Sequence, residues 1–237
     1  MFLTSLGTLF LSVLIAQDVA SIGMQNEFSD MAKRANQWNG MESYSAGIVN
    51  GSQFYFRKWS KGTVTNLQKR VIQNSSYAYL YDKVRQELFV KEKDTTSILL
   101  ADKSQIFSFE LISSDKKYSF ESGAHFDPAK KDIFFEVLVK SDSGYTLLKQ
   151  TKTTFVKADY HDMEKVKSGE NYDEFKDEIF YYISLKNGIP QPIELKEKSI
   201  KKAFTGSPKF KLVQDFIQQN NGSINEQFLI DLIHDIN

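Results

Sequence analysis

"YLYDKVRQELFVKEKDTTSILLADKSQIFSFEL", Tyr79 to Leu111, alternates apolar and polar side chains with only short polar interruptions. Tyr79 shares a face with Tyr77 and Tyr81, Leu88 with Val90, Ile98 with Leu100, and Phe107 with Phe109 and Leu111. A period of two between polar turns is the pattern of half-buried antiparallel strands, since successive side chains point to opposite faces of a sheet. The interruptions "EKDTT" and "ADKSQ" supply turn-forming residues.

The same period continues outward. Phe54 and Phe56 share a face upstream; Tyr118 and Phe120, then Ile133, Phe135, Val137 and Val139, then Tyr145 and Leu147 do so downstream. Ile179, Tyr181, Ile183 and Leu185 form a further apolar face, followed by the hairpin signal Asn187-Gly188. Pro190 and Pro192 lack backbone donors and place the next strand at a sheet edge. Residues 157–178 carry eight acids (Asp159, Asp162, Glu164, Glu170, Asp173, Glu174, Asp177, Glu178) and read as a long exposed loop. Helical spacing appears only near the two ends. Ser29 caps an expected short helix to Trp38. Ser199 caps a turn ending at Gly206, and Pro208 opens a helix with Phe210, Val213, Phe216 and Ile217 on one face. After Asn221-Gly222, Ser223 and Glu226 form a capping-box pattern before Phe228, Leu229, Leu232 and Ile233. The expected fold is mainly β (α+β): a curved antiparallel sheet or sandwich with a short N-terminal helix and C-terminal helices from about residue 199.

The N-terminal run "MFLTSLGTLFLSVLIAQD" is uncharged from Phe2 to Ala16, the length of a signal-peptide apolar region rather than a membrane span of ~20 residues. It lacks a preceding Lys or Arg, and Leu14 fits the small-residue rule poorly, but Ala16 is a suitable residue for cleavage before Gln17. The alternative is a buried N-terminal helix. The expected organisation is a signal peptide at 1–16, a short helix and linker at 17–51, and the β domain at 52–237. There is no cysteine, which excludes disulfides, thiolate nucleophiles and a lipid-bearing cysteine. The expected location is therefore a periplasm or the exterior, without a lipid anchor or transmembrane segment after signal removal. Thirty basic and thirty acidic residues give no net charge to attract nucleic acid.

No catalytic constellation emerges from the sequence. His125, His161 and His234 have no histidine at helical metal-ligand spacing. The sequence contains neither a nucleophile elbow nor a phosphate-binding glycine loop. His161 could serve as a ligand or base, but reads more simply as a solvated loop residue. The pairs Asp173/Glu174 and Asp177/Glu178 offer oxygen ligands for calcium without EF-hand order. Lys196, Lys198, Lys201, Lys202, Lys209 and Lys211 form a basic stretch that reads as a solvated helix face. Tyr77, Tyr79 and Tyr81 form a stripe, read as cross-strand packing rather than a ligand platform. No catalytic or metal residue is assigned, no cofactor is expected, and ligand-binding residues stay open.

The succession "KWSKGTVTN", the opening stretch, "DIFFEVLVK", "FYYISLKNGIPQPIELKEKSIKKAF" and "LIDLIHDIN" resembles uncharacterised exported β-rich proteins of Bacteroidota, from Trp59 onward. The resemblance implies a periplasmic or secreted bacterial origin and no established activity. Meandering sheet offers broad rigid faces and few catalytic elbows. The functional expectation is a non-enzymatic binding or structural envelope protein, its partner an envelope protein or an apolar ligand. Two alternatives stand beside it. One is a carrier of a lipid or other apolar ligand in a curved sheet; the other, less favoured, is a metal-dependent hydrolase using the acidic residues of 159–178.

Overall fold

The structure is a computed structural model that describes residues 49–93, 97–159, 172–186, 188–220 and 222–237, with the backbone alone of 32–34, 161–163 and 166–168. The expected signal peptide and most of the expected linker lie outside the described residues.

Two antiparallel sheets carry the fold. The smaller contains β1 (Ala32–Arg34), β5 (Tyr77–Asp82), β6 (Glu87–Glu92) and β7 (Ile98–Ala101), in the order β1-β7-β6-β5. The larger contains β2 (Val49–Asn50), β3 (Lys61–Asn66), β4 (Val71–Ile72), β8 (Ile106–Ser113), β9 (Lys116–Ser122), β10 (Phe134–Val139), β11 (Tyr145–Val156), β14 (Asp173–Leu185) and β15 (Gln191–Ile193). Its order is β15-β14-β11-β10-β9-β8-β3-β4, and β2 pairs in parallel with the start of β14. β12 (His161–Met163) and β13 (Val166–Ser168) form a separate two-stranded ribbon. Three helices follow: α1 (Glu197–Ala203), α2 (Phe210–Gln219) and α3 (Glu226–Ile236). This is the expected mainly β fold with C-terminal helices.

One cross-strand row explains how the large sheet is covered. Val64 stands opposite Phe109, Phe109 opposite Phe120, Phe120 opposite Glu136, Glu136 opposite Lys149, Lys149 opposite Tyr181, and Tyr181 opposite Ile193. Cross-strand partners share a face, so this row lies along the inner side of the sheet. Its first half packs against Tyr79, Tyr81, Leu88 and Val90 of the small sheet, forming a sandwich core. There Phe109 and Phe120 stack at 4.7 Å, and Tyr81 contacts both rings. Its far end packs, with Leu147 and Ile183, against Ile200, Phe204, Val213, Leu229, Leu232 and Ile233 of the helices.

Between the two cores the row turns polar. Lys149 Nζ lies 3.3 Å from Glu136 and 2.9 Å from Glu226 of α3, and Tyr181 donates to Glu226 at 2.9 Å. Burial pulls the Lys149 pKa down, but the carboxylates of Glu136 and Glu226 outweigh it, and the net direction is upward. Ion pairs of this kind stabilise little against an apolar replacement, yet removing one member leaves a buried charge.

Several local expectations change. Residues 32–34 form a strand where a helix is expected, because pairing with Leu99 to Ala101 gives ladder hydrogen bonds that an isolated helical turn cannot match. The rest of that helix lies outside the described residues. The segment around Phe54 and Phe56 is irregular, tied to β5 by Tyr55 N–H to Tyr81 O at 2.9 Å and Ser60 N–H to Tyr79 O at 2.9 Å. A bulge between Val137 and Val139 sends Val139 into the helical core, away from the face of Phe135 and Val137. The acidic stretch is not one loop. Residues 161–163 and 166–168 pair, and Asp173 to Glu178 extend β14 along β11, with Phe155 opposite Phe175. α3 is capped by Asn225, whose side chain accepts from Phe228 N–H at 2.9 Å, so Glu226 is free to reach Lys149. α1 starts after Lys196, and the Ser199 hydroxyl accepts from Glu194 N–H. The edge position of β15, with Pro192 opposite Tyr182, is as expected.

Candidate binding groove

The outer side of the sandwiched half is where chemistry collects. Residues that alternate with the core positions form two polar rows. Thr63, Glu110 and Ser119 stand opposite one another across β3, β8 and β9, and Thr65, Ser108 and Glu121 form the next row. Together they floor a groove of about 960 Å³. Val71 and Gln73 flank it on the β4 side, and Lys140 with Asp142 on the β10 side. A sheet face offers only side chains, because its backbone donors and acceptors are used in the ladder.

The wall beside Glu121 is built by the connection from β9 to β10. This segment folds back over the outer face and buries Phe126 against Phe135 and Leu148. Two tight turns shape it: Gly123–His125, and Pro128–Lys130 after Asp127, which accepts from Ala129 N–H at 2.9 Å. Gly123 permits the closure, since a Cβ there would sit 2.3 Å from the Lys130 carbonyl oxygen. The fold-back brings His125 next to Glu121 and into ring contact with Phe107 at 4.7 Å. On the opposite side, Lys69 in the turn from β3 to β4 adopts a positive φ of 63° and places its ammonium over Phe107.

Charges in the groove are unevenly matched. Glu110 is held by Lys117 at 3.0 Å, with Ser119 at 3.3 Å and Thr63 at 3.4 Å. Glu121, only 4% exposed, is held by Lys140 at 2.8 Å through Oε2. Its Oε1 accepts no hydrogen bond, although His125 Nε2 lies at 3.3 Å. Burial lowers the pKa of His125, Glu121 opposes this, and Lys69 and Lys140 add to it. Burial likewise lowers the pKa of Lys69, against the pull of Glu121. Burial is the larger cause of both shifts, with the neighbouring lysines adding a smaller push in the same direction.

The other candidates from the sequence fall elsewhere. The side chain of His161 is outside the described residues, and His234 is exposed on α3. Asp173 accepts from Ala158 N–H at 2.8 Å, and Asp177 is bound by Thr153 at 2.6 Å and Lys83 at 2.5 Å, so these carboxylates are structural. Among the described residues no group of three His, Asp or Glu could hold a metal ion. Tyr79 and Tyr81 point into the sandwich core, as the packing reading expects. Lys196, Lys201 and Lys211 pair with Glu194, Glu197 and Asp215 on the surface. Among the described residues no helix is long and apolar enough to cross a membrane. Glu121, Lys69, Lys140 and Glu110 are not singled out by the sequence. The available signal was the polar register Lys117, Ser119, Glu121 between Tyr118 and Phe120, with His125 four residues on.

No family model, curated protein or solved structure matches this chain.

Proposed function

We propose that this chain is a non-catalytic binding protein, exported from the cell, that holds a stretch of oligosaccharide along the outer face of its large sheet. The observation that carries the reading is the groove floor of Thr63, Thr65, Ser108, Ser119, Glu110 and Glu121. Hydroxyls and carboxylates on a rigid sheet form hydrogen bonds to the periphery of a sugar, a few placed polar groups fixing its orientation. An extended peptide is usually recognised through its backbone at a sheet edge, which a sheet face cannot offer. An apolar ligand finds less support, because both interlayer spaces are filled by side chains of the opposing layers.

The test is calorimetric titration of a panel of oligosaccharides into the protein and into Ser119→Tyr. The variant fills the groove floor from an outward position, away from both cores. Binding by the wild type that is lost in the variant, with an unchanged thermal midpoint, supports the reading. No binding by any member of the panel would reject it. Export has its own measurement: the mass of protein recovered outside the cytoplasm should correspond to a chain starting near Gln17.

A further inference from the structure

We infer that the groove selects acidic sugars: a uronate carboxylate sits between Lys69 and Lys140 while a hydroxyl of the same ring donates to Glu121 Oε1. This rests on the reading of the groove as an oligosaccharide site and names the class of sugar it takes.

The strongest observation is Glu121 itself. A carboxylate oxygen buried at the bottom of an open groove, without a hydrogen bond, incurs the desolvation cost of an unsatisfied charged group. Protein donors near it are already placed. Lys140 is committed to Oε2, and His125 approaches at 3.3 Å without forming a hydrogen bond. A hydroxyl arriving from the groove would make the missing bond, and bonds to an ionised acceptor are among the stronger ones.

The second observation is the charge around that oxygen. Lys69 and Lys140 face a single carboxylate, Glu121, while Lys117 is matched by Glu110 and Asp142 stands exposed on the rim. A purely anionic ligand would meet repulsion from Glu121, and a neutral one would leave the lysines unused. A ring bearing both a carboxylate and hydroxyls meets both demands at once.

The probes are an oligogalacturonate of about five units, its fully methyl-esterified counterpart, and inorganic phosphate, titrated at low salt into wild type, Lys69→Gln and Glu121→Gln. The acid should bind at least ~10-fold more tightly than the ester, since hydrogen bonds to an ionised group are the stronger ones. Lys69→Gln should narrow that gap by weakening the acid more than the ester, with the thermal midpoint unchanged because Lys69 lies on the surface. Glu121→Gln should weaken both acid and ester. Acid and ester bound equally well would overturn the inference and leave the oligosaccharide reading standing. Phosphate bound as tightly as the acid oligomer would also overturn it, since the hydroxyl contact would then contribute nothing. Neither oligomer bound would overturn the inference, and the oligosaccharide reading itself falls only if the rest of the sugar panel also fails to bind.

Discussion

Phe109 and Glu121 occupy opposite faces of the same sheet, and their substitutions should read out differently. Phe109 is 1% exposed and touches Tyr81, Phe120 and Phe134. Truncation to alanine leaves a cavity that three rings cannot all relax into, so Phe109→Ala should destabilise by roughly 3–5 kcal/mol in denaturant unfolding. An unmoved midpoint would show that the small sheet does not cover this face. Titration of His125 by NMR should give a midpoint below the ordinary imidazole value, because burial and two lysines oppose its charge. With a folded pKa below the unfolded one, its contribution to stability is present above about pH 6.5 and is lost as pH falls from there through the lower folded pKa. Phe109 was legible from alternation alone. Glu121 was legible only as an outward residue, because Lys69 comes to it from the turn between β3 and β4 and Lys140 from just past the end of β10, and no local pattern records such a meeting.

At the scale of elements, the hairpin of β11 and β14 shows where pattern reading fails. Eight acids among few apolar residues read as a loop, yet residues 173–178 run on as strand because β11 continues opposite them. Pairing with a long partner overrides poor strand propensity. Among these acids Asp177 stands apart, since it holds Lys83, whose side chain is only 9% exposed. Asp177→Asn should cost about 1–3 kcal/mol by leaving that ammonium without its partner. Glu178→Gln should stay within about 0.5 kcal/mol, as for other exposed charges. Equal effects of the two in thermal unfolding would place both in solvent. The capping-box pattern at Ser223 misleads for a related reason: Asn225 takes the cap, and Glu226 is drawn instead to Lys149 and Tyr181 across the interface. Clear alternation with apolar residues in both registers, as at Phe134 and Phe135, turned out to mean burial on both faces: one residue in the sandwich core, the other under Phe126.

For the whole molecule, the aromatic core sets a limit in alkali. Burial raises the pKa of Tyr79 and Tyr81 far above the ordinary phenol value, with neighbouring Tyr77 and Asp82 adding respectively. The native state then keeps protons that the unfolded chain releases above about pH 10. Stability from this source is complete below that pH and is lost as pH rises beyond it, by up to ~1.4 kcal/mol per pH unit for each tyrosine. Unfolding followed by tyrosine absorbance should therefore be steep and cooperative above pH 10. Gradual ionisation of all eleven tyrosines without unfolding would contradict the packing described for these rings.

The polar break at Glu136 and Lys149 has a consequence for how the molecule comes apart. Apart from that cluster, the sandwich and the helical layer communicate chiefly through the shared ladder of β10 and β11, so each can open with its own free energy. The helices can detach for a moment while β3, β8 and β9 keep their bonds. Ligand in the groove would slow amide exchange in those three strands by a factor that grows with the ratio of free ligand to Kd. The amides of α2 and α3, exchanging through a separate opening, would keep their rates. One exchange experiment thus carries its own internal reference: the helices report the protein, and the strands report the ligand.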